Sequence, residues 1–291
     1  MDIEKYRSSL LRKHYSKKKS LIHLVIVSDL DFMKQYRLTL EKMEEYATKH
    51  NYSLTILNKD FFQEKNQSLM SCVYHKNFYF LKHCMIATYM GFPSFSSDDI
   101  FFVFDADVVP YRMEQGLEKW ARLNETIIMY ERGWSSEIMA GNYMIKNSEE
   151  SRFFLRTWSQ YEFMMPPGYS SFDNGAIHLH LLNVFNHQND TLIGQCRKLY
   201  DALNLPMQNL SKYWEYVSCT RKDLPPGPYK YESLSFRLLP KGTAFVADDN
   251  VDVKDKNHYP GPVFHHFHWK SEFDQSGKPS QYHIRRYGLC C

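Results

Sequence analysis

Between Ile100 and Phe104 the chain runs through five consecutive apolar residues, Ile-Phe-Phe-Val-Phe, and then delivers Asp105-Ala106-Asp107. A run this short with no polar alternation reads as a strand covered on both faces, the kind found in parallel sheets flanked by helices. Ligands of such sheets bind beyond the carboxyl ends of the strands, so the two carboxylates fall at the ligand edge. Two like charges held one residue apart call for a cation or a proton between them. Oxygen donors suit Mg²⁺ or Mn²⁺, which usually take their remaining ligands from water and from a substrate diphosphate. The competing reading is that both aspartates cap a turn, a common place for Asp.

The surrounding text supports an α/β fold. Leu21 to Ser28 reads as a buried strand, and Phe32, Tyr36, Leu40, Met43 and Ala47 recur at helical spacing, predicting one amphipathic helix from Phe32 onward. A strand at Leu54 to Leu57 completes a βαβ opening. A helix over about Asn77 to Met90 would carry Phe80, Leu81, Cys84 and Ala87 on one side. Thr126 to Tyr130 and Met139 to Ile145 read as strands, and Glu149 to Tyr161 and Phe172 to Phe185 as helices. Beyond about Leu205 the chain is rich in Pro and Tyr, with a Pro225-Pro226-Gly227-Pro228 breaker and short strands predicted at Ser235 to Leu239 and Ala244 to Ala247. The expectation is a mostly parallel central sheet flanked by helices, with a less regular C-terminal lobe. It divides the chain into a basic segment at 1–20, one domain at 21–275 and a tail at 276–291.

Composition narrows the class of function. At 43% hydrophobic, 291 residues can bury a full core. The formal charge is only +3, and the basic excess sits in Arg12, Lys13, Lys17, Lys18 and Lys19, so no nucleic-acid partner is expected. That segment reads as a solvated tail, or as a patch for anionic lipid or phosphate. Leu21 to Val27 is interrupted by His23 and falls far short of the roughly 20 residues that span a bilayer, and no signal-peptide cleavage site follows. Membrane association would therefore fall to a segment the sequence does not contain. Five N-glycosylation triplets, starting at Asn51, Asn66, Asn124, Asn189 and Asn209, exceed the about two expected by chance and point to the Golgi or another secretory-pathway lumen. Cys72, Cys84, Cys196, Cys219, Cys290 and Cys291 fit two or three disulfides or buried thiols, not a zinc site. The final Cys290-Cys291 pair is similar to prenylated tails, against which stands plain coincidence.

A second concentration of ligand chemistry lies near the other end, in His265-His266-Phe267-His268-Trp269-Lys270. In an extended segment His266 and His268 share a face and His265 takes the other, so at most two imidazoles reach one ion. Lys270 falls on the face of His266 and could meet a phosphate as a point charge. A surface cluster without a role is the alternative.

The strand with Asp-x-Asp, the later Gly-Asn beside a strand and the late His-Phe with a following Lys together resemble the GT-A nucleotide-diphospho-sugar transferases. Among these the likeness is nearer to the galactosyl and xylosyl transferases of glycosyltransferase family 34 than to family 8, and the chain also resembles a nematode group described as domain-of-unknown-function family 273, itself placed among these transferases. The likeness runs from about Leu21 to Lys270. The resemblance implies that Asp105 and Asp107 hold Mn²⁺ or Mg²⁺ and the ribose with His266 as third protein ligand, that Ala106 lies within the same donor-binding turn, and that Lys270 meets the diphosphate. Ala140-Gly141-Asn142-Tyr143-Met144-Ile145-Lys146-Asn147-Ser148 is similar to the family stretch, "Asn-x-Gly then apolar then Arg-Asn-Ser", that lines the donor sugar and acceptor side; here the Gly precedes the Asn, and the resemblance makes Gly141 a donor-binding and Asn142 a catalytic candidate. Phe172-Asp173-Asn174-Gly175 stands where the family carries an acidic-Gln or Asp-Gln pair, so Asp173 and Asn174 join Asn142 as candidate catalytic residues. Lys82 falls where a basic residue approaches the nucleotide in such enzymes, and reads equally as a solvated helix lysine. Ser28 and Asp29 fall where base and ribose would lie, while Asp29 or Asp31 would also serve as a helix N-cap.

The expected function is metal-dependent transfer, with retention, of a sugar from a UDP-sugar or GDP-sugar to a hydroxyl of a glycan, protein or lipid. Two other classes fit parts of the text. Val103-Phe104-Asp105-Ala106-Asp107-Val108 also matches the nucleophile motif of haloacid-dehalogenase-type phosphatases, with Asp248-Asp249 as a later acidic pair, although about a hundred residues precede it where that class normally begins. A catalytically inactive glycan-binding protein on the same fold is the other.

Overall fold

The computed structural model describes residues 21–64, 71–133, 135–204, 210–247 and 262–266. In chain order the elements are β1 (Ile22–Val27), α1 (Leu30–Gln35), α2 (Arg37–His50), β2 (Ser53–Leu57), α3 (Lys59–Glu64), α4 (Phe78–Met90), β3 (Ile100–Phe104), β4 (Val108–Pro110), α5 (Glu118–Ala121), β5 (Ile127–Tyr130) and β6 (Tyr143–Lys146). They continue with α6 (Glu149–Ser159), a 3₁₀ turn (Gln160–Met164), α7 (Phe172–Phe185), α8 (Asp190–Asp201), α9 (Ser211–Arg221), β7 (Gly227–Tyr231), β8 (Leu234–Leu239), β9 (Val246–Ala247) and β10 (Phe264–His266).

Seven strands form the main sheet in the order β2-β1-β3-β6-β5-β8-β7. Pairing is parallel for β2/β1, β1/β3 and β5/β8 and antiparallel for β3/β6, β6/β5 and β8/β7, so only β6 and β7 run against the rest. The mostly parallel α/β sheet expected from the sequence is the sheet observed. Strand β3 shows why its apolar run is unbroken. Phe101 and Val103 enter the core layer that contains α4, α6 and α7, whereas Phe102 and Phe104 enter the opposite layer with Tyr46, Phe245 and Phe264. Alternate side chains of a strand face opposite ways, and here both faces are covered.

At the amino ends of the three parallel strands, His23 Nε2 lies 2.9 Å from Asp99 Oδ1 and Nδ1 lies 2.5 Å from Ser53 Oγ. This buried chain of polar groups ties β1 to β2 and to the residue before β3, away from the ligand edge.

Four expectations need correction. The helix from Phe32 begins at Leu30, capped by Asp29, and breaks at Tyr36, whose φ of −110° and ψ of 32° leave the helical region. The strand predicted at Met139 to Ile145 is confined to Tyr143–Lys146, because 139–142 turn beneath the end of β3. Helix α4 is buried on nearly every side and has no polar face, since it is packed between the sheet and α6. The C-terminal lobe contains a full helix, α9, whose buried Tyr213, Tyr216 and Val217 pack against α7 and α8.

The lobe matters for the site through a small second sheet, β4-β10-β9. Strand β10 runs antiparallel to β4 with His266 opposite Val108, which brings the far end of the chain beside the Asp-x-Asp turn.

Candidate functional site

Asp105 is the first residue past β3. The antiparallel register pairs Val103 with Tyr143, so Asn142 and Gly141 lie alongside Phe104 and Asp105. Asn142 is fully buried, accepts the Asp105 backbone N–H through Oδ1 at 3.0 Å, and offers Nδ2 to the Tyr130 hydroxyl at 3.3 Å. Gly141 leaves room for the Asp105 carboxylate itself: a Cβ there would come 1.8 Å from Oδ2. The reversed Gly-Asn order thus has a geometric use, with glycine under the carboxylate and asparagine under the backbone.

His266 closes the site from the small sheet. Its Nε2 lies 3.1 Å from Asp107 Oδ1 and 3.9 Å from Asp105 Oδ2. One donor atom from each of Asp105, Asp107 and His266 falls within 4.8 Å of the others. Two carboxylate oxygens and an imidazole nitrogen, with Asp105 partly open to solvent, form a donor set that fits Mn²⁺ or Mg²⁺ and leaves positions for substrate oxygens.

Behind the aspartates sits a buried charged pair. Lys82, from the middle of α4, places Nζ 3.4 Å from Asp105 Oδ1 and 2.9 Å from Asp173 Oδ2, and its side chain is 7% exposed. The solvated-lysine reading fails. Burial works against the ammonium, but Asp105 and Asp173 outweigh it and hold its pKa above the ordinary lysine value. Burial likewise works against the Asp173 carboxylate, yet Lys82 and His83 keep it below the usual carboxylate range. Asp173 Oδ2 is also 3.1 Å from His83 Nε2, and the Tyr143 hydroxyl is 3.1 Å from His83 Nδ1. The imidazole stacks on Trp158 at 3.5 Å, and burial lowers its pKa to about 4, so it stays neutral near pH 7. Trp158 Nε1 donates to the Asp173 carbonyl, which fixes the start of α7. Asn174 accepts the Ala140 N–H through Oδ1 at 2.9 Å, joining α7 to the turn that carries Gly141.

The structure therefore gathers Asp105, Asp107, His266, Gly141, Asn142, Lys82, Asp173 and Asn174, with Ala106 buried between the two aspartates. Ser28 and Asp29 follow β1, whose register places Ile26 beside Phe104, so they share the same sheet edge. Asp29 accepts from the Phe32 N–H as an N-cap, while Asp31 pairs with Lys34. Lys270, His268 and the Asp248-Asp249 pair lie outside the described residues. Of the six cysteines, Cys72–Cys84 and Cys196–Cys219 are disulfides, and Cys290 and Cys291 lie outside the described residues. His83 and Trp158 escaped the sequence reading, and Tyr143 entered it only as one residue of the Ala140–Ser148 stretch. The signal for His83 was its place beside Lys82 inside an otherwise apolar helix, where each polar group needs a partner.

Residues 43–279 match the family described as "Protein of unknown function, DUF273", and the chain belongs to that family. No curated protein matches the sequence. Among solved structures, the chain is similar to a glycosyltransferase involved in the glycosylation of the major capsid of PBCV-1, at 13% identity and a TM-score of 0.41, over 74% of this chain and 92% of that one. It is also similar to the apo-form glycosyltransferase GlyE of Streptococcus pneumoniae TIGR4, at 12% identity and a TM-score of 0.43. That likeness covers 92% of this chain but 60% of the GlyE chain. Similarity this distant bears on neither activity nor substrate, and the chemistry has to come from the site.

Proposed function

We propose that this protein is a metal-dependent glycosyltransferase, moving a sugar from a UDP-sugar or GDP-sugar to a hydroxyl of a glycan, protein or lipid. The observation that carries the reading is the convergence of Asp105, Asp107 and His266 at the carboxyl edge of a mostly parallel sheet, with the Lys82–Asp173 pair directly behind. Mn²⁺ or Mg²⁺ held by those three side chains would bind the diphosphate and stabilise the charge that gathers on it as it leaves.

The chain's own residues do the rest. Gly141 and Asn142 fix the Asp105 carboxylate and backbone, so the acidic edge is organised before substrate arrives. Lys82 keeps Asp173 ionised in a dry setting. A carboxylate held in that state is a weak base, suited to offsetting positive charge at the anomeric carbon and orienting a hydroxyl more than to removing its proton. Asn174 spends its carbonyl oxygen on Ala140, so the group it can offer a sugar is its NH₂. Ser28 and Asp29 are the candidates for the nucleoside side, and Lys270 for the diphosphate. Retention of configuration rests on the family resemblance.

The secretory-pathway lumen is part of the proposal. Two disulfides favour an oxidising compartment, and the triplet asparagines Asn51 and Asn124 are exposed.

The test is a panel of UDP- and GDP-sugars assayed for Mn²⁺-dependent thermal stabilisation, followed by release of the free nucleoside diphosphate. One donor should stabilise the wild type and be turned over, with both effects lost in Asp107→Asn. Phosphate release from simple esters without response to any nucleotide sugar would replace this reading with the phosphatase one.

A further inference from the structure

Ser171 and Phe172, the two residues before Asp173, both take left-handed backbone conformations, with φ of 56° and 49°. Neither is glycine, and a bulky aromatic residue is strongly disfavoured there, so surrounding contacts must hold the segment in place. The bend positions one ring. Phe172 stays 37% exposed while one face lies on Tyr79, with centroids 4.8 Å apart and planes 12° from parallel. Tyr79 is in the first turn of α4, three residues before Lys82 and on the same side. Its phenol feels burial first, then Asp173, Lys82, Asp105 and Asp107, which puts the stacked pair at the margin of the acidic site.

Beside this pair Asp173 is 1% exposed, and its Oδ1 has no hydrogen-bond partner among the described residues, although Oδ2 takes both Lys82 and His83. An unpaired buried carboxylate oxygen is costly and points to a donor that arrives with a ligand. A flat, partly exposed aromatic face one residue along the chain from a buried acceptor oxygen, the two held by Tyr79 and Lys82 on one side of α4, suits a molecule with an apolar C–H face and hydroxyls at its rim. Pyranose rings have that form. A peptide or lipid chain could use the aromatic face but would not as a rule bring a hydroxyl to the adjacent oxygen.

We propose that Phe172, backed by Tyr79, is the platform on which the acceptor's sugar ring lies, with one of its hydroxyls donating to Asp173 Oδ1. This rests on the glycosyltransferase reading and narrows the acceptor to a glycan. The donor's sugar is anchored through its diphosphate beside Asp105 and Asp107, whereas a platform open to solvent suits a ligand that extends outward.

The test uses saturation-transfer NMR on the full chain with diamagnetic Mg²⁺ and UDP or GDP present, whichever nucleotide shifts the wild-type Tm. The probes are methyl glycosides of lactose, cellobiose, chitobiose and maltose, with a mixture of Ser/Thr peptides as the second arm. Phe172→Gly removes the ring while relieving the left-handed backbone, so it should fold with a Tm within about 3 °C of the wild type. At least one disaccharide should give a signal with the wild type that falls about fivefold in Phe172→Gly and returns in Phe172→Trp. The thermal shift from Mn²⁺ and that nucleotide should be the same in all three. Full saccharide signal in Phe172→Gly, no disaccharide signal in the wild type, or binding of the peptides alone would overturn the proposal while leaving the transferase reading intact. Absence of any Mn²⁺-dependent shift with either UDP or GDP in the wild type would instead remove the reading on which it stands, and the proposal with it.

Discussion

The α-carbon of Gly141 and the carboxylate of Asp105 are in such close contact that a single added methyl would stand 1.8 Å from Oδ2. The obstructing atom belongs to a side chain, so the carboxylate can swing away without moving the strand behind it. Gly141→Ala should therefore fold, yet lose Mn²⁺ affinity by at least about tenfold, because a ligand has been turned out of place. Isothermal titration beside circular dichroism checks both halves.

Lys82 is the counter-charge for two acids in a buried setting. Lys82→Met should cost about 3–5 kcal/mol in urea unfolding, since removing one partner strands the other charge. Adding Asp173→Asn to that variant should recover part of the loss, and a double-mutant cycle measures how much. Equal losses summed without coupling would contradict the pairing.

Burial lowers the pKa of His83 to about 4 and of His178 and His180 to about 3, from an ordinary 6.5. The unfolded chain therefore binds more protons than the folded one between about pH 6.5 and pH 3. Their contribution to stability is complete above pH 6.5 and drains away as pH falls through that window. Denaturant unfolding should show a loss of about 3–4 kcal/mol between pH 7 and pH 5.5 from these three groups.

The disulfides close loops of 12 and 23 residues in sequence separation. Replacing Cys196 and Cys219 together by alanine should cost about 3 kcal/mol, and replacing Cys72 and Cys84 somewhat less. The second pair also ties the turn before α4 to the helix that carries Lys82, so its loss should speed amide exchange at 71–77. Hydrogen-exchange mass spectrometry reads that directly.

Much of this was legible in the residues. Five apolar positions followed by Asp-Ala-Asp pointed to a doubly covered strand with acids at its exit, because the run is short, aromatic and β-branched and ends in turn residues. His266 stood out by composition, but its partner strand could not be inferred, since the β4/β10 register depends on chain separated by more than a hundred residues. The role of Lys82 was hidden for a different reason. A lysine in a helix is usually solvated, and only the burial of α4 on nearly every side forces its ammonium onto two carboxylates. The left-handed pair Ser171 and Phe172 left no trace at all, because neither residue type announces a positive φ. Helix α9 was missed because its flanking Pro and Tyr residues masked a helical spacing of Tyr213, Tyr216, Val217 and Thr220.

The central claim is that Asp105, Asp107 and His266 grip one ion. Electron paramagnetic resonance of Mn²⁺, which reports free aquo ion directly, should show a single site per chain whose affinity falls by about 10- to 100-fold in His266→Ala and further in Asp105→Asn. An unchanged Mn²⁺ titration in His266→Ala would contradict the account at its root.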